Sequence, residues 1–174
     1  MVYHMDISKA KDILDYWFSK GLYTADFDKW FMKSQDYDEE IKEKFGDLLK
    51  EAEQGKGFCW LHTKDSYVAH IILLDQFSRH IYRGSGDSFK NDNGCMLFVE
   101  LGWEMYKEQL EGYEFMFAFM PYMHTENKNY SRKGKEIFYH HKNDCERKVR
   151  TFLASYSLAD KTAVDDLKNS QLEM

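Results

Sequence analysis

The sequence predicts an all-α protein built as a single domain of about seven helices. Three observations predict it: apolar residues recur three and four positions apart, the chain has one proline, and ten glycines punctuate the periodic stretches. Of the 174 residues 43% are hydrophobic, which is enough for one sizeable core. We predict that the domain covers residues 1–157 and that residues 158–174 are a tail, either a short helix or a frayed end.

The first third of the chain predicts two amphipathic helices with a short aromatic piece between them. Asp6 or Ser8 caps the first helix, and Gly21 ends it. The aromatic pair at 30–31 plugs the core, and the second helix opens at Asp36. The apolar faces of the two helices carry Ile7, Ala10, Ile13, Leu14, Trp17 and Phe18, and then Tyr37, Ile41, Phe45, Leu48, Leu49 and Ala52.

Residues 68–92, VAHIILLDQFSRHIYRGSGDSFKND, predict the helix around which the others pack. Its first half is apolar on nearly every side, which is typical of a buried helix. From Asp75 onward one side becomes charged, and Arg79 follows Asp75 at the four-residue spacing of a helical ion pair. We expect the helix to end near Gly84, because glycine suits the left-handed cap.

Three further helices are predicted in the second half of the chain. One spans Phe89–Leu110, where Gly102 in mid-helix indicates a close helix crossing. Residues 113–123 are apolar nearly all round and therefore predict a buried helix, which Pro121 is expected to end or kink. The stretch between residues 127 and 141 is polar and basic, and the last helix covers residues 143–157.

Composition excludes several classes of protein. The net charge of −6 argues against general binding to nucleic acid or to anionic membranes, which requires a basic surface. No signal peptide opens the chain, and no apolar run reaches the ~18 residues of a membrane span. The cysteines Cys59, Cys95 and Cys145 are odd in number and lack CxxC spacing, which favours a reducing compartment. We therefore expect a cytoplasmic protein.

No common catalytic or nucleotide-binding motif is present. His124 and Glu126, with Asp75 or Asp92, offer potential metal ligands, as does a second group formed by His140, His141 and Asp144. Neither group has a diagnostic spacing, so we predict no bound metal and no cofactor.

One polar cluster remains as a candidate site, formed by the charged side of the central helix and the triplet at 124–126. Histidine and carboxylate can transfer protons, and arginine forks can hold a carboxylate or a phosphate. The candidate catalytic residues are His124, Glu126 and Asp75, and the candidate ligand-binding residues are Gln76, Arg79, Tyr82, Arg83 and Asp92.

Three functions fit this cluster. The first is a binding or interaction module whose pocket takes a small anion or an acidic peptide end. The second is a hydrolase in which His124 is the general acid/base, Glu126 or Asp75 orients it, and Arg79 and Arg83 hold an anionic substrate. In the third, the polar residues only fix the packing of the helices, and a partner protein binds an aromatic groove elsewhere.

The blocks LLDQFSRHIYRGSGDSFKND at Leu73–Asp92 and FMPYMHTE at Phe119–Glu126 resemble the domain-of-unknown-function family 924. The segment Ile13–Phe18 and the pair at 30–31 are also similar, so the likeness runs from about Ala10 to Glu126. The resemblance implies an all-α fold with tetratricopeptide-like α–α superhelical packing, in soluble proteins without an established activity. It matches all eight candidate site residues to polar positions of the family.

The chain also departs from the family pattern. Ser78 and His80 stand where the family has proline and asparagine, and Thr125 stands where it has serine. A later family block with arginine, phenylalanine and histidine finds no counterpart near residues 138–152. If that block completes a site, this chain is a diverged or inactive member.

Overall fold

The computed structural model describes residues 4–140, and every regular element in this range is helical. The prediction of a single all-α domain is confirmed, while superhelical packing stays a prediction. The predicted helix at 143–157 and the tail at 158–174 lie outside the described residues. The α-helices are α1 (Lys9–Trp17), α2 (Phe27–Phe31), α3 (Gln35–Glu53), α4 (Lys64–Ile71), α5 (Ser78–Ile81), α6 (Asp92–Tyr106), α7 (Tyr113–His124) and α8 (Lys128–His140).

The predicted central helix is present and runs from α4 into α5 through a π-helical segment, Ile72–Phe77. It starts at a capping box, in which the amide of Ser66 donates to the hydroxyl of Thr63 and the amide of Thr63 donates to the hydroxyl of Ser66. All side chains from residue 66 to residue 78 are buried, as the apolar sequence predicts. The helix ends at Ile81, and Gly84 with φ of +81° turns the chain.

Helices α1 and α3 cover one side of the central helix through aromatic packing. The ring of Phe77 stacks on Phe45 of α3 with ring centroids 4.8 Å apart, and meets Trp17 of α1 edge-on at 5.4 Å. Two members of the predicted apolar surface are instead exposed. Ile7 precedes α1, which begins only at Lys9, and Phe31 is the last residue of the short helix α2.

Helix α6 crosses the central helix on another side. A Cβ atom on Gly102 would lie 2.4 Å from the ring of Tyr67, which confirms the predicted close crossing. The Tyr67 hydroxyl donates to the carbonyl of Val99 at 2.9 Å and holds the two helices in register. The helix begins later than the predicted Phe89, because a separate 3₁₀ turn, Gly86–Phe89, precedes it, and it ends at Tyr106, before the predicted Leu110.

Helices α7 and α8 complete the described part. Pro121 does not end α7, which continues to His124. Proline lacks the amide that would bond one turn earlier, but the helix carries on after it, and Thr125 donates to the carbonyl of Pro121. The polar stretch after residue 127 is the helix α8, which the sequence did not predict because it has few apolar residues. Its Gly134 lies against Tyr122 of α7, and its Ile137 is buried.

Residues 4–140 contain neither a membrane-spanning helix nor a metal-binding cluster. No helix there combines the length and apolar character needed to cross a lipid bilayer. Nor does this range bring together three or more histidine, cysteine or acidic side chains in a group that could hold a metal ion.

Replacing Gly102 by alanine tests the close crossing. We expect Gly102→Ala to lower the free energy of unfolding by about 1–3 kcal/mol, because the added methyl group collides with the Tyr67 ring. Gly46 in the middle of α3 is the matched control, since its nearest neighbour to an added Cβ is 3.8 Å away. Gly46→Ala should raise stability by up to about 1 kcal/mol through helix propensity. Urea unfolding measures both, and equal effects would contradict the packing described here.

Candidate functional site

An open cleft of about 630 Å³ lies where the end of α5, the first turn of α6 and the end of α7 meet. This volume is within the range of ligand-binding pockets. Six of its seven lining residues are polar or charged, and the seventh is Phe89. The lining residues are Arg79, Phe89, Asp92, Asn93, His124, Thr125 and Glu126.

The floor of the cleft is a hydrogen-bonded pair of histidine and aspartate. His124 Nδ1 lies 2.9 Å from Asp75 Oδ1. Asp75 is 1% exposed, whereas the side chain of His124 is 30% exposed. Among residues 4–140, His124 has no hydrogen-bond partner at Nε2, so this nitrogen is available in the cleft.

Arg79 links the two acidic residues beside this pair. Its Nη2 atom lies 3.2 Å from both carboxylate oxygens of Asp92 and 3.5 Å from Asp75 Oδ1. The guanidinium also stacks on Phe89, with Cζ 4.9 Å from the ring centroid. The predicted ion pair of Asp75 and Arg79 is therefore one part of a larger network.

The two carboxyl groups respond to this network in opposite directions. Burial raises the pKa of Asp75, but the charges and hydrogen bonds of His124, Arg79 and Gln76 outweigh it, so the pKa lies below its ordinary value. For Asp92, burial and the nearby charge of Asp75 outweigh Arg79, and the pKa lies above its ordinary value. Asp75 is consequently the carboxylate that stays ionised in mildly acidic solution.

Two other candidate residues lie beside the pair. Gln76 follows Asp75 in the π-helical segment and donates from Nε2 to Asp75 Oδ2 at 2.7 Å, behind the cleft. Glu126 lines the cleft and is exposed, but the carboxylate bonded to His124 is that of Asp75. Of the two orienting groups considered for His124, the geometry thus brings Asp75 into contact.

The structure separates Tyr82 and Arg83 from the cleft. The helix ends at Ile81, and the backbone at Tyr82 leaves the helical conformation, so Arg83 no longer follows Arg79 on one side. Arg83 instead forms a two-bond pair with Asp38 of α3, at 2.6 Å from Nε and 3.0 Å from Nη2. The hydroxyl of Tyr82 donates to Glu53 at 3.0 Å.

Asp38 also accepts a bond from His80, which creates a second histidine–aspartate pair. His80 Nδ1 lies 2.7 Å from Asp38 Oδ1, a geometry close to that of the pair in the cleft. The side chain of His80 is only 3% exposed and packs edge-on against Trp17. Burial lowers the pKa of His80, although Asp38 opposes the shift. This second pair connects helices and does not line the cleft.

Three lining residues were not among the sequence candidates: Phe89, Asn93 and Thr125. Thr125 lies inside the polar triplet at 124–126, so its position next to His124 could have predicted that it lines the cleft. Phe89 and Asn93 lie in and just after the loop that leads into α6, and no periodic pattern distinguishes them.

Comparisons with known proteins agree with the resemblance seen in the sequence. The family model "Bacterial protein of unknown function (DUF924)" matches residues 13–169, which extends the likeness well beyond Glu126. A solved structure of ATU0120, a protein of unknown function from Agrobacterium tumefaciens, superposes with a TM-score of 0.68 at 25% sequence identity. That similarity covers 75% of this chain and 72% of the other. No curated protein matches the chain.

Replacing each acid by its amide tests the electrostatics of the cleft. Because the pKa of Asp75 is lowered, its ionisation stabilises the folded state above about pH 4, and this contribution disappears as pH falls through the native pKa. Asp75→Asn should therefore cost about 1–3 kcal/mol of unfolding free energy at pH 7, and less below pH 4.

Asp92→Asn is the matched control, with the opposite trend. Because the native pKa of Asp92 is raised, its carboxyl group ionises at a lower pH in the unfolded chain than in the folded protein. As pH rises through that range, the wild type therefore loses stability relative to this variant. Urea unfolding between about pH 3 and pH 7 measures both trends. Parallel pH dependences of the two variants would contradict the opposite shifts.

Proposed function

Because the chain belongs to the DUF924 family of bacterial proteins of unknown function, whose description names no activity, we propose a function from the geometry of the cleft. The proposal is an acid–base enzyme of the hydrolase type. His124 transfers the proton, Asp75 orients the imidazole, and the cleft holds a small polar substrate.

One observation carries the proposal: the 2.9 Å contact of a buried Asp75 with the inner nitrogen of a histidine whose outer nitrogen is available in an open cleft. A carboxylate on Nδ1 fixes the tautomer that leaves the lone pair on Nε2, and it stabilises the imidazolium that forms when Nε2 takes a proton. The second pair, His80 with Asp38, has the same bond without the cleft, so the cleft is what separates a reactive pair from a structural one.

The reaction that suits these residues uses water as the nucleophile. Among residues 4–140, the cleft lining contains no serine, cysteine or lysine, and its one hydroxyl, on Thr125, accepts a bond from the amide of Asn127. His124 Nε2 would take a proton from water as the water oxygen attacks the substrate, and then return that proton to the leaving group. Asn93 and Arg79 offer donors for the substrate oxygen.

The charge of the cleft limits its substrates. Arg79 is the one lysine or arginine among the described lining residues, whereas Asp92 and Glu126 contribute two carboxylates and Asp75 lies beneath them. A highly charged anion is therefore disfavoured, because it would meet more negative than positive groups. A neutral substrate, or one with a single carboxylate against Arg79, fits better.

A binding module for a small anion or an acidic peptide end is the second candidate. It is supported by the donors of Arg79, since its Nε and Nη1 make no hydrogen bond within residues 4–140. Arg83, which the sequence grouped with Arg79, donates its hydrogen bonds to Asp38 and does not reach the cleft. This candidate therefore depends on Arg79 alone.

Histidine acylation tests the reactive pair without knowledge of the substrate. We expect diethyl pyrocarbonate to modify His124 at least about tenfold faster than exposed His62, although His124 is less accessible, because Asp75 makes Nε2 a better nucleophile. Asp75→Asn should remove this advantage. Peptide mass spectrometry after timed exposure gives the rates, and a His124 rate no faster than that of His62 contradicts the proposal.

Hydrolysis of p-nitrophenyl acetate then asks whether the pair supports turnover. His124→Asn should reduce kcat/KM by a factor of about 10²–10⁴, the usual contribution of a general acid–base group. Arg83→Ala is the control and should keep the wild-type rate, because Arg83 lies outside the cleft. Equal rates in wild type and His124→Asn would mean that any hydrolysis seen does not use this pair.

Thermal-shift measurements with inorganic phosphate and acetate distinguish the second candidate. A binding cleft predicts a rise in the unfolding midpoint of wild type, because a ligand that binds only the native state stabilises it by mass action. The rise should vanish in Arg79→Ala and persist in Arg83→Ala and His124→Asn. A rise that survives in Arg79→Ala would exclude this cleft as the anion site.

A further inference from the structure

The polar lining of the cleft contains one aromatic side chain, that of Phe89. Its ring is 64% exposed, and no other large apolar side chain in residues 4–140 is more exposed. Such a ring adds little to the apolar core, so burial does not explain why a phenylalanine lies here. The proposed proton transfer by His124 gives the ring no role either.

Phe89 is the last residue of a 3₁₀ turn, Gly86–Phe89, which is tied to the rest of the fold. Its neighbour Ser88 is buried, and the hydroxyl of Ser88 donates to the carbonyl of Tyr82 at 2.5 Å. The exposed ring therefore belongs to an anchored turn at the end of the central helix. An aromatic surface that is already held in place loses little freedom when a ligand binds it.

Arg79 covers only part of the Phe89 ring. Its Cζ atom lies 4.9 Å from the ring centroid, within the range of cation–π contacts. The same guanidinium is held by both carboxylate oxygens of Asp92 and by Asp75, so its position does not rest on the ring alone. The exposed remainder of the ring is available to a second flat group, which can stack on it or meet it edge-on.

A series of contacts connects the ring to the reactive histidine. His124 bonds to Asp75, Asp75 contacts Arg79, and Arg79 contacts Phe89. Arg79 thus lies between the histidine and the ring in this series, and its Nε and Nη1 make no hydrogen bond within residues 4–140. A substrate that spans the cleft would meet a proton-transfer group, then hydrogen-bond donors, and then an aromatic surface.

We propose that the substrate is an ester or amide of an aromatic carboxylic acid, and that Phe89 selects for its ring. This inference rests on the proposed hydrolase function. The aromatic ring packs on Phe89, the acyl oxygen accepts hydrogen bonds from Arg79, and the bond to be broken faces His124. Such a compound can be neutral, which suits a cleft with more acidic than basic groups.

The reaction is an ordinary hydrolysis. The oxygen of water bonds to the acyl carbon, and the bond from that carbon to the alcohol oxygen or amine nitrogen breaks. The proton that His124 takes from the water passes to the departing oxygen or nitrogen. The products are the aromatic acid and an alcohol or amine.

Binding of the product acid tests the ring subsite without turnover. Benzoate and cyclohexanecarboxylate carry the same charge and are similar in size, but only benzoate is flat and aromatic. We expect wild type to bind benzoate at least about fivefold more tightly, a difference within the usual range for one pair of aromatic rings. Phe89→Leu should remove this preference, because leucine keeps an apolar side chain without a ring. Isothermal titration calorimetry measures both affinities.

Phe58→Leu is the matched control for this experiment. Phe58 is 55% exposed and also lies in a 3₁₀ turn, Lys56–His62, but it does not line the cleft. This variant should keep the preference for benzoate. No preference in wild type, a preference that survives in Phe89→Leu, or one that is lost equally in Phe58→Leu overturns the proposal.

Hydrolysis of methyl benzoate and methyl cyclohexanecarboxylate, followed by chromatography, measures selectivity in the reaction itself. The ratio of the two kcat/KM values should fall at least about fivefold from wild type to Phe89→Leu, mainly through a higher KM for methyl benzoate. Comparing ratios removes the difference in chemical reactivity between the two esters.

The two experiments separate this inference from the function on which it rests. Hydrolysis that depends on His124 but shows the same ratio in Phe89→Leu overturns the ring subsite and leaves the hydrolase function standing. Benzoate binding that depends on Phe89, without any hydrolysis that depends on His124, overturns the hydrolase function and with it the assignment of the substrate.

Discussion

Asp75 lies in the middle of the central helix, fully enclosed by other residues, and its carboxylate is ionised. A charge at that depth requires partners, because the cost of removing it from water is several kcal/mol. The partners come from three places: Gln76 next to it, Arg79 one turn later and His124 at the end of α7. Satisfying one carboxylate thus joins the end of α7 to the central helix, and Arg79 extends the network to the first turn of α6.

The two histidine–aspartate pairs of this protein show how the surroundings, and not the pair itself, define a site. Both pairs join Nδ1 to a carboxylate at under 3 Å. His80 is buried against Trp17 and bonded to Asp38, which also binds Arg83. This pair links α3 to the central helix. His124 stands at the end of α7 and lines the open cleft. The same bond thus links helices where it is buried and borders open space where the helix ends.

Periodicity predicted the helices well wherever apolar residues were frequent, as in the central helix and α7, and it failed for α8, whose few apolar contacts include Gly134 and Ile137. Within the site, spacing along one helix predicted the contact of Asp75 with Arg79, and the polar triplet pointed to His124. Spacing also placed Arg83 on the same side as Arg79. The helix ends at Ile81, however, so Arg83 does not reach the cleft. The pairing of Arg83 with Asp38 depends on residues 45 positions apart, and such contacts leave no trace in a single sequence.

The π-helical segment Ile72–Phe77 makes the placement of Asp75 depend on the local length of the chain. A π-helical turn accommodates about one residue more than an α-helical turn, and the wider turn takes up the extra residue locally. Deleting one residue there would let an ordinary α-helix form. Asp75 and Arg79 would stay on one side of it, because residues three or four positions apart share a helix face. The residues inside the wide turn would move, so the extra residue sets where the Asp75 carboxylate meets His124 at the end of α7.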